Sequence, residues 1–142
     1  MSIHDRCKVL VNFSVLLVTG GYSTGSDGTY IGSRTSVELL SSDGTRLCSL
    51  PNLPAVRKYH SQTGLITCGG GGGSEMKSCV TFSAGRWKKT HTLGHKWYGH
   101  TAWASPRGVL LIGGGIRWRT TTELLTDNGD TTPFFNLTSG RR

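Results

Sequence analysis

A short apolar stretch ending in two glycines occurs three times in this chain, and no other feature limits its folding choices as much. The copies are "VLLVTGG" (Val15 to Gly21), "GLITCGG" (Gly64 to Gly70) and "GVLLIGG" (Gly108 to Gly114), with the first glycines at 20, 69 and 113. Steps of 49 and 44 residues mark a supersecondary unit that cannot bury its apolar surface alone, so neighbouring copies must stack. Two further elements keep the same order. "RTSVELLSSDGT" (Arg34 to Thr45) aligns without gaps on "RTTTELLTDNGD" (Arg119 to Asp130), placing Glu38 on Glu123 and Gly44 on Gly129. The middle copy, "SCVTFSAGRW" (Ser78 to Trp87), keeps a strand and a turn but lacks the glutamate. "RKYHSQ" (Arg57 to Gln62) and "WYGHTA" (Trp97 to Ala102) superpose His60 on His100.

The five consecutive glycines from Gly69 to Gly73 have two rival readings. A phosphate-binding P-loop needs lysine and a hydroxyl directly after its last glycine, and Ser74, Glu75 and Met76 stand there instead. A plain linker would separate unlike compositions, whereas strand-like sequence lies on both sides. The run is therefore read as the end of a repeated strand, lengthened by a loop.

Each unit reads as strands. Val15 to Thr19 is short and apolar, which suits a strand buried on both faces. Asp43-Gly44 and Asn128-Gly129 are tight-turn signals, because these residues tolerate positive φ. Leu47 to Pro54 reads as an outer strand ending in prolines, which cannot serve a central ladder. Glycine makes up 21 of 142 residues, about double the usual share, and no ten-residue segment shows helical periodicity. The expected fold is all-β. No apolar run reaches the roughly 18 residues of a membrane helix, so membrane insertion is not expected. Asn12 and Ser14 interrupt the stretch from Val9 to Val18, which reads as a strand rather than a secretion signal.

Taken together, these residues resemble the kelch repeat. That resemblance rests on the glycine pairs Gly20-Gly21, Gly69-Gly70 and Gly113-Gly114, on Val37-Glu38 and Thr122-Glu123 in the following strand, and on Trp87 in the next. Arg57 with His60, and His100, match the element that opens a blade. The likeness covers roughly residues 15 to 138; Leu47 stands where the first copy should carry tryptophan, and no tyrosine follows either glutamate. It implies a partial β-propeller of two complete blades and part of a third, built from four-stranded antiparallel sheets. The units would run over 15–63, 64–107 and 108–142, after an N-terminal segment 1–14. Propellers close with four to eight blades, so further blades or self-association are needed. The implied function is a non-catalytic scaffold that binds a protein partner through blade loops, without a cofactor.

The formal net charge is +8, but the cations are scattered, without the stripe that tracks a nucleic-acid backbone. Nucleic-acid binding through this charge is the third reading and is not expected. Four cysteines include no C-x-x-C pair, which leaves zinc and thioredoxin motifs unsupported. Cys68 and Cys79 flank the glycine loop, and a hairpin places them opposite each other, either as a disulfide or as two buried thiols. The sequons at Asn12 and Asn136, together with the cysteines, favour an extracellular over a cytoplasmic setting. A carbohydrate-directed extracellular module, part of a larger galactose-oxidase-like chain, is the alternative function. His91, His95 and His100 have a spacing that binds metal only on a helix, and Gly94 argues against one. No catalytic set stands out, and Tyr22, Tyr30, Tyr59 and Tyr98 form no recognisable copper constellation with histidine. The candidate binding loops follow the glycine pairs: Tyr22 to Arg34 with Tyr22 and Tyr30, Gly71 to Lys77 with Glu75 and Lys77, and Gly115 to Trp118 with Arg117 and Trp118.

Overall fold

The computed structural model describes residues 15–71, 77–114 and 119–141. All of their regular structure is β, in four antiparallel sheets, none of them closed on itself. Among the described residues no helix is long and apolar enough to cross a membrane. Sheet I holds β1 (Val15–Thr19), β4 (Val37–Ser41) and β5 (Leu47–Leu50), in that order. Sheet II runs β6 (Ser61–Thr63), β7 (Ile66–Cys68), β8 (Ser78–Ser83) and β9 (Arg86–Thr92). Sheet III runs β10 (Thr101–Ser105), β11 (Gly108–Ile112), β12 (Arg119–Leu125) and β13 (Thr131–Arg141). A separate hairpin, β2 (Tyr22–Thr24) with β3 (Tyr30–Ser33), projects between β1 and β4.

Local chemistry explains the turns. Ala84 and Gly85 both have positive φ, 50° and 76°, the conformation of a two-residue hairpin whose twist matches its strands. At Asp43-Gly44 the Asp43 carboxylate accepts hydrogen bonds from Ser41 Oγ (2.5 Å) and Thr45 N (3.0 Å), closing the turn between β4 and β5. β5 lies at the edge of sheet I, and its chain leaves through Pro51 and Pro54, where no ladder hydrogen bond is lost.

The sheets stack face on face. Leu17, Val37, Leu39, Cys48 and Leu53 of sheet I and its exit chain form one core with Val80 of sheet II, and Trp87 packs against it. Cys68, Cys79, Leu93 and Trp97 form a second core with Leu111 and Leu125 of sheet III. Neighbouring residues Cys79 and Val80 thus serve opposite cores, as the period of two along a strand requires. Sheet II is buried on both faces. Sheet I is not, and the expectation that β1 is buried on both faces is corrected. Leu17 and Thr19 are buried, but Leu16 and Val18 are 59% and 47% exposed, because they point away from sheet II. The sheets also cut the repeat at a different place from the sequence period: β6 and β10 pair forward with β7 and β11.

Cys68 and Cys79 stand directly opposite each other in the β7–β8 register and are joined by a disulfide. None of the described cysteines is a free thiol. The alternative of two buried thiols falls away.

The paired glycines have a steric reason. Gly69 has φ +63°, and a Cβ there would lie 2.7 Å from the Trp97 carbonyl and 2.8 Å from the His100 ring. At Gly44, φ is +70° but nothing lies within 4 Å. Gly44→Ala is expected to cost about 1 kcal/mol, the left-handed backbone penalty alone. Gly69→Ala should cost about 2–4 kcal/mol, since overpacking adds to that penalty. Urea unfolding of both variants measures the difference, and equal losses would contradict the close approach. Replacing Cys68 and Cys79 by serine should remove about 3 kcal/mol, the loop-closure contribution expected for a short loop, read from the same unfolding curves.

Candidate interaction surface

The glycine pairs lie at one end of the sheets, and the connectors that meet them bring functional side chains together. Gly21 N donates to Arg57 O at 2.7 Å and Gly70 N to Trp97 O at 2.8 Å, which docks the connector of residues 51–60 on sheet I and that of 93–100 on sheet II. Lys58 and Gly71 exchange backbone hydrogen bonds of 3.2 and 2.7 Å. The docked connectors present Tyr59 and Tyr98 beside the β2–β3 hairpin, which presents Tyr22 and Tyr30.

The four tyrosines form a row. Ring centroids are 4.8 Å apart from Tyr98 to Tyr59, 5.5 Å from Tyr59 to Tyr22 and 6.3 Å from Tyr22 to Tyr30. Lys58 Nζ stands 4.6 Å from the Tyr30 centroid, a cation–π contact. Tyr22, Tyr30 and Tyr59 remain 48%, 56% and 45% exposed. Arg34 Nη2 donates to Ser23 Oγ at 2.7 Å at the hairpin's base. The hydrogen bond with Ser33, helped by the Lys58 charge, holds the Tyr30 phenol below its ordinary range. Tyr59 is pushed the other way, first by the hydrogen bond with Tyr22 and then by repulsion among phenolates so close together.

Tyr59 is also strained. Its φ is +55°, a region that a bulky side chain rarely enters. The corresponding residue of the next connector is Gly99, with φ +60°, whose N–H donates to Tyr59 O at 2.8 Å. The fold requires a left-handed residue there, and one copy fills the position with an exposed aromatic ring.

Other singled-out residues are bound into the framework. Glu123 is buried and accepts from Gly94 N at 2.7 Å and Trp97 Nε1 at 2.6 Å, whereas its counterpart Glu38 is half-buried on the outer face of sheet I. Trp87 donates its indole N–H to Pro51 O at 2.8 Å, tying β9 to the exit of sheet I. Gly113 and Gly114 both have positive φ, and a Cβ on Gly114 would lie 2.7 Å from His100. Asn136 is exposed on β13, and Lys77 is exposed just before β8. Asn12, Glu75, Arg117 and Trp118 lie outside the described residues. Among the described residues no three His, Cys, Asp or Glu side chains gather as a metal site. Tyr59 and Tyr98 were not singled out as contact residues in the sequence; their signal was adjacency to the repeated histidines, each flanked by tyrosine within two residues.

His60 and His100 sit behind this surface. Thr19 Oγ1 donates to Gln62 Oε1 at 2.6 Å, so His60 Nε2, 2.9 Å from Thr19 Oγ1, carries its proton toward that hydroxyl. His100 Nε2 lies 2.6 Å from Ser61 Oγ. Both Nδ1 atoms are buried without a hydrogen-bond partner. Burial holds both imidazoles below their ordinary range; Arg57 adds to the effect at His60, and at His100, where His60 adds, the pKa falls to about 4. In the unfolded chain the imidazoles bind protons near pH 6.5, while the folded ones stay neutral. Stability is therefore complete above that pH and is lost as pH falls toward 4. His100 should account for about 3 kcal/mol of this loss. Unfolding curves recorded from pH 7 to pH 4 should show it, with a flatter slope for His100→Gln.

The chain matches no protein-family model and no curated protein.

Proposed function

We propose that the three stacked sheets are part of a kelch-type propeller and that the chain is a non-catalytic scaffold binding a protein partner through the glycine-pair end. Support for the propeller comes from positions that recur between the sheets. The glycine pairs of sheets I and II meet the next connector, and sheet II serves one neighbour with each of its faces. Rigid sheets that project loops from one end are a common platform for recognition.

The observation that carries the binding reading is the exposed tyrosine row, with Tyr59 held at positive φ. Tyrosine supplies a large contact area at low entropic cost, is enriched at interfaces, and anchors hot spots. Backbone strain at an exposed aromatic is explained by what that ring contacts outside the chain. Tyr59→Gly tests this, because Gly99 shows that glycine suits the position. The variant is expected to keep the wild-type unfolding midpoint or exceed it, while partner affinity drops at least about tenfold, or about 1.4 kcal/mol. Affinity capture with quantified partner retention provides the readout, and unchanged retention would count against this face as the contact surface.

A carbohydrate-directed extracellular module is the second reading. The buried disulfide favours a non-cytoplasmic setting, and planar rings flanked by Lys58 and Arg34 suit an acidic sugar. Binding to an acidic oligosaccharide that survives in Tyr59→Gly would remove the tyrosines from that role.

A further inference from the structure

The sequon Asn136-Leu137-Thr138 falls on β13, and neither the stacking of the sheets nor the tyrosine row uses it. β13 is the last strand of sheet III and is hydrogen-bonded to a neighbouring strand, β12, on one side only. Its ladder is regular from Thr131 to Pro133 and then breaks. Between the Glu123–Pro133 and Thr121–Asn136 pairs β13 spends three residues against two of β12, and between Thr121–Asn136 and Arg119–Arg141 five against two. The sequon therefore sits where the strand bulges off the sheet.

The framework holds the bulge and leaves the sequon free. Thr122 is buried, and its Oγ1 accepts from Phe135 N at 2.9 Å and donates to Phe135 O at 2.7 Å, fixing the backbone one residue before Asn136. Asn136 and Thr138 are both exposed, and among the described residues neither the Asn136 amide nor the Thr138 hydroxyl makes a hydrogen bond. Asn128, by contrast, spends its amide on its own turn: Nδ2 donates to Asp130 Oδ2 at 2.8 Å, and Oδ1 accepts from Asp130 N at 3.3 Å. The fold gives up no contact when the Asn136 amide is modified. Phe134 and Phe135, 44% and 45% exposed, stand beside Asn136 and with it line a recess of about 230 Å³. Exposed rings on an open strand edge invite pairing with another chain.

We propose that Asn136 carries an N-linked glycan and that this glycan covers the open edge of sheet III. Transfer joins Asn136 Nδ2 to the anomeric carbon of an oligosaccharide carried on a lipid diphosphate. The carbon–oxygen bond to the diphosphate breaks, the lipid diphosphate leaves with the electron pair, and the amide loses one proton to a basic group of the transferase. That reaction belongs to the compartments in which disulfides form, and Cys68 is joined to Cys79, with no free thiol among the described cysteines. In the folded protein the apolar C–H face of the first sugar rests on the exposed phenyl rings beside Asn136 and removes them from water. The glycan then stands where a further strand would add to β13. This inference is independent of the tyrosine row, to which β13 contributes no ring.

The full chain, directed into the secretory pathway of a eukaryotic cell by an added signal peptide, tests this as wild type, Asn136→Gln, Thr138→Ala, Thr138→Ser and Asn12→Gln. The membrane-enclosed fraction and the medium are both read, so that a retained chain is scored as well. Treatment with an amidase that removes N-linked glycans, in water enriched in oxygen-18, should speed the migration of the wild type. Mass spectrometry should then find labelled aspartate in place of Asn136. Asn136→Gln and Thr138→Ala should lose the modification at position 136, whereas Thr138→Ser and Asn12→Gln should keep it. The site is read from the wild-type peptide, so a variant that fails to fold does not remove the test. An unmodified Asn136 in the wild type overturns the proposal, and so does a glycan confined to Asn12. The covering role is read by light scattering: removing the glycan from the folded wild type should raise the rate of aggregation severalfold, and an unchanged rate overturns that role.

Discussion

The contact on which the rest depends is the hydrogen bond from the second glycine of the first two pairs to the carbonyl of the connector leading to the next sheet. Gly21 makes it to Arg57 and Gly70 to Trp97. The bond fixes the distance between one sheet's end and the start of its neighbour, and only then do the apolar faces meet in register. A side chain on the first glycine would occupy the space of that carbonyl and of the histidine behind it. Missing side chains at the glycine pairs thus decide how the sheets stack, and both apolar clusters lie between stacked sheets.

Once that contact is in place, the same structural position tolerates unlike residues. Arg57 and Trp97 occupy equivalent sites in successive connectors, and both are fully buried. Arg57 uses its guanidinium to hold Gly69 O and both Ser78 oxygens, while Trp97 gives its single donor to Glu123. Each gives hydrogen bonds to buried acceptors of the following sheet, as removal from water requires. Sheet II carries Val80 where sheet III carries Glu123, so a tryptophan donor there would lack an acceptor. The exchange is coupled across the seam.

Tyr59 and Gly99 form a second unlike pair at one site. The connector requires a left-handed residue where it turns toward the following strand, and glycine meets that need without strain. Tyrosine there directs its ring outward, between Tyr22 and Tyr98. The row of phenols exists because two connectors and one hairpin converge at the glycine-pair end, each placing one or two rings within reach of the next. A surface of this kind belongs to the stack and to no single repeat.

The repeated "VLLVTGG", "GLITCGG" and "GVLLIGG" stretches were sufficient to indicate strands, and Asp43-Gly44 and Asn128-Gly129 sufficient to indicate their turns, because backbone conformation at such residues is a local matter. The placing of Cys68 opposite Cys79 also followed from the hairpin around the glycine loop, although bond and free thiols were equally consistent with that spacing. Other features were not local. That Leu16 and Val18 face away from the core, although they sit in an apolar run with Leu17, depends on which side of sheet I its neighbour packs. That Tyr59 and Tyr98 join Tyr22 and Tyr30 depends on connectors far apart in sequence docking on adjacent glycine pairs. Residue types and their spacing determine what each strand and turn can be. Only the stacking of one sheet on another decides which face is buried and which side chains meet, because that contact joins residues that the chain itself keeps dozens of positions apart.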